Sequence, residues 1–434
     1  MAARAALARL PDFPAHSLPR FRDAAAAALA LRPDEPVYCF CPRALEEDTR
    51  AFLRAFRGET AYAVKTQPDA RVLAQLAEAG IRAFDVASPA EMAAARAARP
   101  DARLYYMHPV KPVSHIERAF AEFGIRHIAA DHETEVSKIV RAARRQRIDL
   151  EALTLFIRVA TRADARYELS KKFGASPAQA VDLLERAAAL GLKVGLCFHV
   201  GSQVEDVGAY ERALATCAWV WGRADVELAG LDIGGGFPAV YGHDPRRREK
   251  PHPTPAALMR AIREAVRDYG FEEVPLVAEP GRGLVARAYS VIVRVLLRKG
   301  QRLYINDGIW GSLSDSWTGH LTLPVRLVRA SGRQAPRGGH RGNGRLEPFR
   351  VMGATCDSVD ILNRAFWLPE DVRTGDWIEV GHIGAYSLSL RTHFNGFHPD
   401  SFVEVDEPFR LDRALAAAPR KVVRDRAEAR LYPE

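Results

Sequence analysis

The sequence contains no apolar run of the roughly 20 residues needed to cross a bilayer, which excludes a membrane-spanning helix. Cysteine is scarce, with five in 434 residues, at positions 39, 41, 197, 217 and 356. They are too few and too scattered for a disulfide framework. Cys39-Phe40-Cys41 has no second Cys/His pair at zinc spacing, which argues against a metal there. No Gly-rich phosphate turn follows the first predicted strand, as it would in a dinucleotide-binding open sheet. Charge of one sign is not concentrated either: 62 Lys and Arg face 54 Asp and Glu, and the surplus is spread along the chain. One stretch, Arg333–Arg345, mixes Arg with Gly, but it has no aromatic residue to stack a base, so a solvated loop is favoured over a nucleic-acid site. Met1–Leu31 has the Ala/Arg bias of a transit peptide. Asp12, Asp23, Pro11, Pro14 and Pro19 interrupt it, however, and the same bias runs through the whole chain. A cytoplasmic protein without a membrane or nucleic-acid partner is expected.

What remains is an ordinary globular composition, and the length suffices for two sizeable cores. From Thr60 to Arg282, short strand-like apolar runs alternate with Ala/Arg/Glu-rich helical stretches. The runs are Ala61–Lys65, Ala83–Ser88, Leu104–Pro109, His127–Asp131, Thr154–Ala160, Val194–Val200, Leu228–Gly236 and Pro275–Arg282. Helices are predicted at Pro89–Ala98, Glu133–Arg147, Pro177–Leu190 and Pro255–Tyr269, each with a Pro or acidic start. Eight such units are the arithmetic of a (β/α)8 TIM barrel. After Arg282 the strand-like runs Val291–Leu297, Arg302–Ile305, Leu321–Val328, Phe349–Met352, Trp377–Val380 and Phe402–Val405 are linked by turns, which reads as a mostly antiparallel β domain. The boundaries expected are 37–282 for the barrel, with 1–36 and 283–434 as an N-terminal arm plus the β domain. The tail from Leu411 is polar and expected to be peripheral.

Functional-looking side chains fall at the C-terminal ends of these strands, the face on which TIM barrels build active sites. They are Lys65, Asp85, Arg158, His199, the run Gly234–Gly236, and Glu279 with Arg282. A lysine at a strand mouth can lose its proton more cheaply than one in water and act as a nucleophile. Three glycines in a row let backbone N–H groups approach an anion, and Arg282 adds a guanidinium beside them. A phosphate site after strands seven and eight recurs in such barrels. Together with the lysine and a central carboxylate, it suggests pyridoxal 5'-phosphate, with Glu279 on the pyridine nitrogen. A satisfied core histidine is the plain alternative for His199, and a tight turn for the glycines.

In combination these residues resemble the fold-type III pyridoxal phosphate decarboxylases, the ornithine/lysine/diaminopimelate/arginine decarboxylase family, whose barrel is alanine racemase-like. The resemblance runs from Ala61 to Phe397: AVK with PDARVL, FDVAS-x-x-E, HVGSQ, DIGGGFP, EPGR, CDSVD, GAYS and FNGF occur in family order. It implies that Lys65 carries the cofactor as an imine, that His199 stacks on its ring and that Glu279 binds its nitrogen. Ser202, Gly235, Gly236, Arg282 and Tyr386 would hold the phosphate, with Asp85, Glu91 and Arg158 as supporting polar groups. The family's homodimer shares its active sites, so Cys356 would reach across as proton donor and Asp357 as reader of the substrate's distal amine, with Phe397 beside them. In the family an Asp in a Tyr-Asp-His triplet is a second amine-binding carboxylate; here Trp317-Thr318-Gly319-His320 stands instead, and Asp315 is the candidate replacement. Gln67 replaces the Asn usual two residues after the lysine. The activity implied is decarboxylation of a basic amino acid, first L-ornithine to putrescine, with lysine to cadaverine next. The alternatives are a diaminopimelate or carboxynorspermidine-type decarboxylase, a racemase of the same fold, or a non-catalytic binding homologue.

Overall fold

The computed structural model describes residues 18–161, 165–167, 172–244, 246, 253–330 and 346–411. Two expectations fall outside these residues: the Arg-rich stretch 333–345 and nearly all of the tail from Leu411.

Eight parallel strands close a barrel, in the order in which they were read from the sequence. They span Glu59–Ala63, Ala83–Asp85, Arg103–Tyr106, His127–Ala130, Thr154–Arg158, Lys193–Cys197, Leu228–Asp232 and Leu276–Ala278. The strand period of two divides their residues between two cores. Ala61, Ala83, Tyr105, Ala129, Phe156, Cys197 and Val277 point inward and, with Met107, fill the barrel axis. Tyr62, Phe84, Ile128 and Leu155 point outward and meet the helices. The helices start where side-chain chemistry allows. Ser88, Ser176 and Thr254 each accept an N–H of the first turn, and a proline follows each of them at the first helical position. They run Pro89–Ala98, Pro177–Ala189 and Pro255–Asp268, while Glu133–Arg145 starts on two acidic residues that suit its N-terminal dipole.

Lys111, at the barrel rim after the third strand, has a side chain with no exposed surface. Its ammonium donates to His108 O at 2.9 Å and Pro109 O at 3.1 Å, also to Ala129 O, and faces Glu135 at 3.1 Å. It thereby ties the loop after strand three to strand four. Lys111→Met should cost about 2–4 kcal/mol, because three carbonyls lose a buried donor while Glu135 keeps Lys138. Urea unfolding at fixed cofactor concentration would measure it.

The second body is a nine-stranded sheet, in which five of the eight strand pairings are antiparallel. Its centre is the long strand Tyr289–Lys299, which pairs with Val37–Phe40, Arg302–Ile305 and Trp377–Val380. Val37–Phe40 therefore belongs to this sheet, and the expected barrel boundary at residue 37 is corrected: the first barrel strand begins at Glu59. Val37–Phe40 also pairs in parallel with Ser401–Val405, which in turn holds Arg20–Phe21. Trp377 Nε1 donates to Pro33 O and Asn306 Nδ2 to Asp34 O, so the N-terminal arm is tied to the sheet at two successive carbonyls. Phe366–Pro369, paired with Leu346–Met352, is a further strand that the sequence reading did not include. The helix-side barrel core and much of the β-domain core form one continuous cluster, from Leu73 and Ile139 through Tyr289 to Phe349.

Candidate active site

Strand one ends at Ala63, and the chain then tightens into a single 3₁₀ turn, Val64–Thr66, before Asp69 caps the helix Ala70–Glu78. Val64 and Thr66 are buried, while Lys65 turns toward the mouth with its side chain 43% exposed. Its ammonium lies 2.8 Å from Asp85 Oδ2, at the end of strand two. Desolvation pulls the ammonium's pKa down, but Asp85 and Glu279 outweigh it and hold the pKa above the ordinary lysine value. This corrects the expectation that the strand mouth eases proton loss: three carboxyl groups converge there, and their field favours the cation.

The third carboxyl group belongs to Asp232, which ends strand seven and was not among the residues singled out from the sequence. Its Oδ1 accepts the Gly234 N–H at 2.8 Å, whereas its Oδ2 is buried without a hydrogen-bond partner. Burial pushes Asp232 up to about 7 and pushes Glu279 well above the usual carboxylate range, each reinforced by neighbouring carboxylates. Repulsion between the two buried carboxyl groups favours keeping one of them protonated. The available signal was its place: an Asp directly before three glycines at the rim end of a barrel strand. Because the folded state binds this proton more tightly than the unfolded chain, a penalty grows as pH rises from about 4 to about 7 and stays in full above. Asp232→Asn should therefore stabilise the cofactor-free protein by about 1–3 kcal/mol at pH 8 and not at pH 4, read by thermal unfolding at the two pH values.

His199 follows strand six. Its Nδ1 accepts the Gly201 N–H at 3.0 Å. Desolvation first, then Arg158 and Lys65, hold its pKa well below the ordinary value, so the ring is neutral and carries its proton on Nε2. A Cβ on Gly235 would lie 2.6 Å from Glu279 O and 3.0 Å from His199 Nε2, so the chain can pass between strands six and eight there only without a side chain. Arg158, at the end of strand five, lies over the Phe173 ring at 5.3 Å. Glu91 folds back to accept the Ala87 N–H at 2.7 Å, closing the loop after strand two; burial raises its pKa, with Asp85 nearby adding to the shift.

A second group gathers around Arg282. Its Nε donates to Ser202 Oγ at 3.2 Å and its Nη1 to Tyr241 OH at 2.7 Å, and its guanidinium lies 5.0 Å from the centre of the Tyr386 ring. Tyr386 reaches the rim on a β-domain loop, fixed by its N–H to Thr66 O at 2.9 Å and by Gln67 Nε2 to Gly384 O at 3.3 Å. Gln67 is thus a strut between the two bodies. Asp315, expected to read a substrate amine, is instead paired through both oxygens with Arg282, at 2.6 and 2.9 Å. That expectation is corrected: the carboxylate is buried beside the anion cradle and already committed.

Cys356, Asp357 and Phe397 do not join either group. Cys356 is exposed, its N–H donates to Asn395 Oδ1 at 3.0 Å, and Asp357 accepts Trp310 Nε1 at 3.2 Å. Phe397 closes the 3₁₀ turn Phe394–Gly396 next to Asn395. Val359, Leu390, Phe394 and Phe397 are all at least 40% exposed, so the thiol and carboxylate sit on an uncovered apolar face of the β domain.

The family model for the pyridoxal-dependent decarboxylase, pyridoxal binding domain, matches residues 43–286. A lysine/ornithine decarboxylase from Selenomonas ruminantium is 32% identical over 81% of this chain and 85% of its own length. Among solved structures, arginine decarboxylase from Paramecium bursaria Chlorella virus is similar with a TM-score of 0.74 and 25% identity, over 87% of this chain and 98% of that one. Lysine/ornithine decarboxylase from Vibrio vulnificus, complexed with putrescine, gives a TM-score of 0.72 and 27% identity, over 89% and 99%.

Proposed function

Because the chain belongs to the pyridoxal-dependent decarboxylases of the ornithine decarboxylase-like, fold-type III family, and is accordingly a pyridoxal phosphate enzyme that decarboxylates a basic amino acid, we propose the finer assignment: L-ornithine to putrescine, with lysine as the next substrate. The observation that carries the site assignment is the convergence of Lys65, Asp85, Asp232 and Glu279 beside the cradle of Ser202, Arg282 and Tyr386.

The donor set fits the cofactor. The cradle offers a hydroxyl, a guanidinium and a phenol to a phosphoryl group, next to glycines whose Cβ atoms would collide with neighbouring backbone. The buried, unpartnered Oδ2 of Asp232 beside Glu279 suits a protonated ring nitrogen. Bound there, pyridoxal phosphate supplies an electron sink for the pair left when carbon dioxide departs. Lys65 would tether the cofactor's aldehyde carbon, and its proton has Asp85 as the nearest acceptor. Glu279, with Asp232 behind it, would hold a proton at the ring nitrogen. His199, being neutral, would cover the ring face without adding charge. Arg158, at the end of strand five, and Glu91, in the first turn of the helix Pro89–Ala98, would brace this arrangement.

The exposed apolar face around Cys356 supports a homodimer in which a second copy covers it and shared sites result. Cys356 from one copy would then protonate the product carbon in the other's site, and Asp357 would pair with the distal ammonium, which needs a counter-ion once desolvated. Phe397 would line the methylene chain. Asp357 as an acidic reader favours a distal amine over the distal carboxylate of diaminopimelate. A cytoplasmic enzyme of polyamine formation is the setting this reading implies. The deciding assay offers the holoenzyme ornithine, lysine, arginine and meso-diaminopimelate and identifies the amine formed; cleavage of diaminopimelate alone would overturn the assignment. For the dimer, Lys65→Ala and Cys356→Ala proteins, each inactive, should on mixing regain about a quarter of wild-type activity, because half the dimers are mixed and each has one intact site. No recovery after verified subunit exchange would exclude shared sites.

A further inference from the structure

Arg282 and Asp315 are enclosed: their side chains are 3% and 10% exposed. Asp315 stands in the first turn of the short helix Ser314–Thr318, and both of its oxygens face the Arg282 fork, Nη1 to Oδ2 and Nη2 to Oδ1. The guanidinium that would meet a phosphoryl group therefore already carries a full counter-charge. Removing Asp315 would take from this buried guanidinium the counter-charge that both carboxylate oxygens supply. Orientation depends less on Asp315, because Tyr241, Ser202 and the Tyr386 ring hold the guanidinium from other sides.

We infer that Asp315 is the resident counter-ion of the phosphate cradle: it stands in for the phosphoryl group in the cofactor-free protein and loosens the grip on that group when it binds. It is a positioning residue that sets cofactor affinity and the stability of the empty site. The inference rests on the reading that the cofactor's phosphate seats at Arg282. By linkage, a group that stabilises the empty state more than the loaded one must weaken loading. The same sign follows from direct repulsion, since a carboxylate on the far side of one guanidinium opposes a dianion on the near side.

The test compares wild type with Asp315→Asn, each freed of cofactor and then titrated with pyridoxal 5'-phosphate or with pyridoxal, which lacks the phosphate. Absorbance reports binding, and thermal unfolding is recorded for the empty and loaded forms. Expected is about tenfold tighter binding of pyridoxal 5'-phosphate, unchanged binding of pyridoxal, a larger fall in Tm for the empty than for the loaded form, and an unchanged ratio of KM for ornithine and lysine. Asp315→Glu, which keeps the charge, should keep the wild-type affinity; a variant that folds only when loaded is the same result in its extreme form. Equal falls in both Tm values with unchanged affinity would reduce Asp315 to an ordinary structural partner. A selective rise in KM for one diamino acid would return it to the substrate. Equal wild-type affinity for the two aldehydes would sink the phosphate reading itself, and this inference with it.

Discussion

Lys65→Ala is expected to lose turnover by about a thousandfold or more and to leave no covalent adduct after borohydride treatment of the loaded protein. The fold should survive. Lys65 lies on a short turn with its side chain half in the open, so truncation leaves no packed cavity. The local electrostatics, in contrast, change sharply: Asp85, Asp232 and Glu279 lose the ammonium that faces all three. Mutual repulsion then favours protonation, and the variant should be closest to wild type in stability at low pH and fall behind as pH rises. Turnover, mass spectrometry of the borohydride-treated chain and a pH series of Tm values check the three parts. Full turnover with Lys65 absent would remove it from the chemistry.

The second large effect is on Arg282→Met. The substitution takes the guanidinium from the buried Asp315 carboxylate and removes the donors to Tyr241 and Ser202, for an expected loss of about 3–5 kcal/mol. Affinity for pyridoxal 5'-phosphate should drop by about a hundredfold, because a charge-assisted contact to the phosphoryl group goes with it. Pairing Arg282→Met with Asp315→Leu separates the two losses: the double variant should regain most of the stability but stay well short of the wild-type affinity. Unfolding by urea and a cofactor titration measure them on the same samples. If the double variant binds the cofactor as wild type does, Arg282 has no part in holding it.

Much of this architecture was legible in the sequence, for a local reason. In a (β/α)8 barrel each strand neighbours the next, so runs such as Ala83–Asp85 and Thr154–Arg158 announce themselves by composition and by the capped helices after them. The pairings of strands far apart in the chain did not. Val37–Phe40 is apolar throughout, and nothing near it reveals that its partners are Tyr289–Ile292 and Ser401–Glu404, far along the chain. Phe366–Pro369 is short and ends in proline, which reads as a turn. At the site, residue types and order pointed to one rim, and Lys65, Asp85, Glu279 and Arg282 do gather there. Charge state and pairing were hidden, because both depend on distances between strand ends: Lys65 is held protonated, burial pushes the Asp232 carboxyl up, and Asp315 faces an arginine.

The sheet built from both ends of the chain has a consequence for synthesis. Arg20–Phe21 and Val37–Phe40 leave the ribosome well before the strands that flank them, Tyr289–Lys299 and Ser401–Val405, which are translated hundreds of residues later. The barrel between them can close on its own neighbours while the nascent amino-terminal strands wait unpaired, with Val37, Tyr38 and Phe40 open to chaperones or to aggregation until their partner strands emerge.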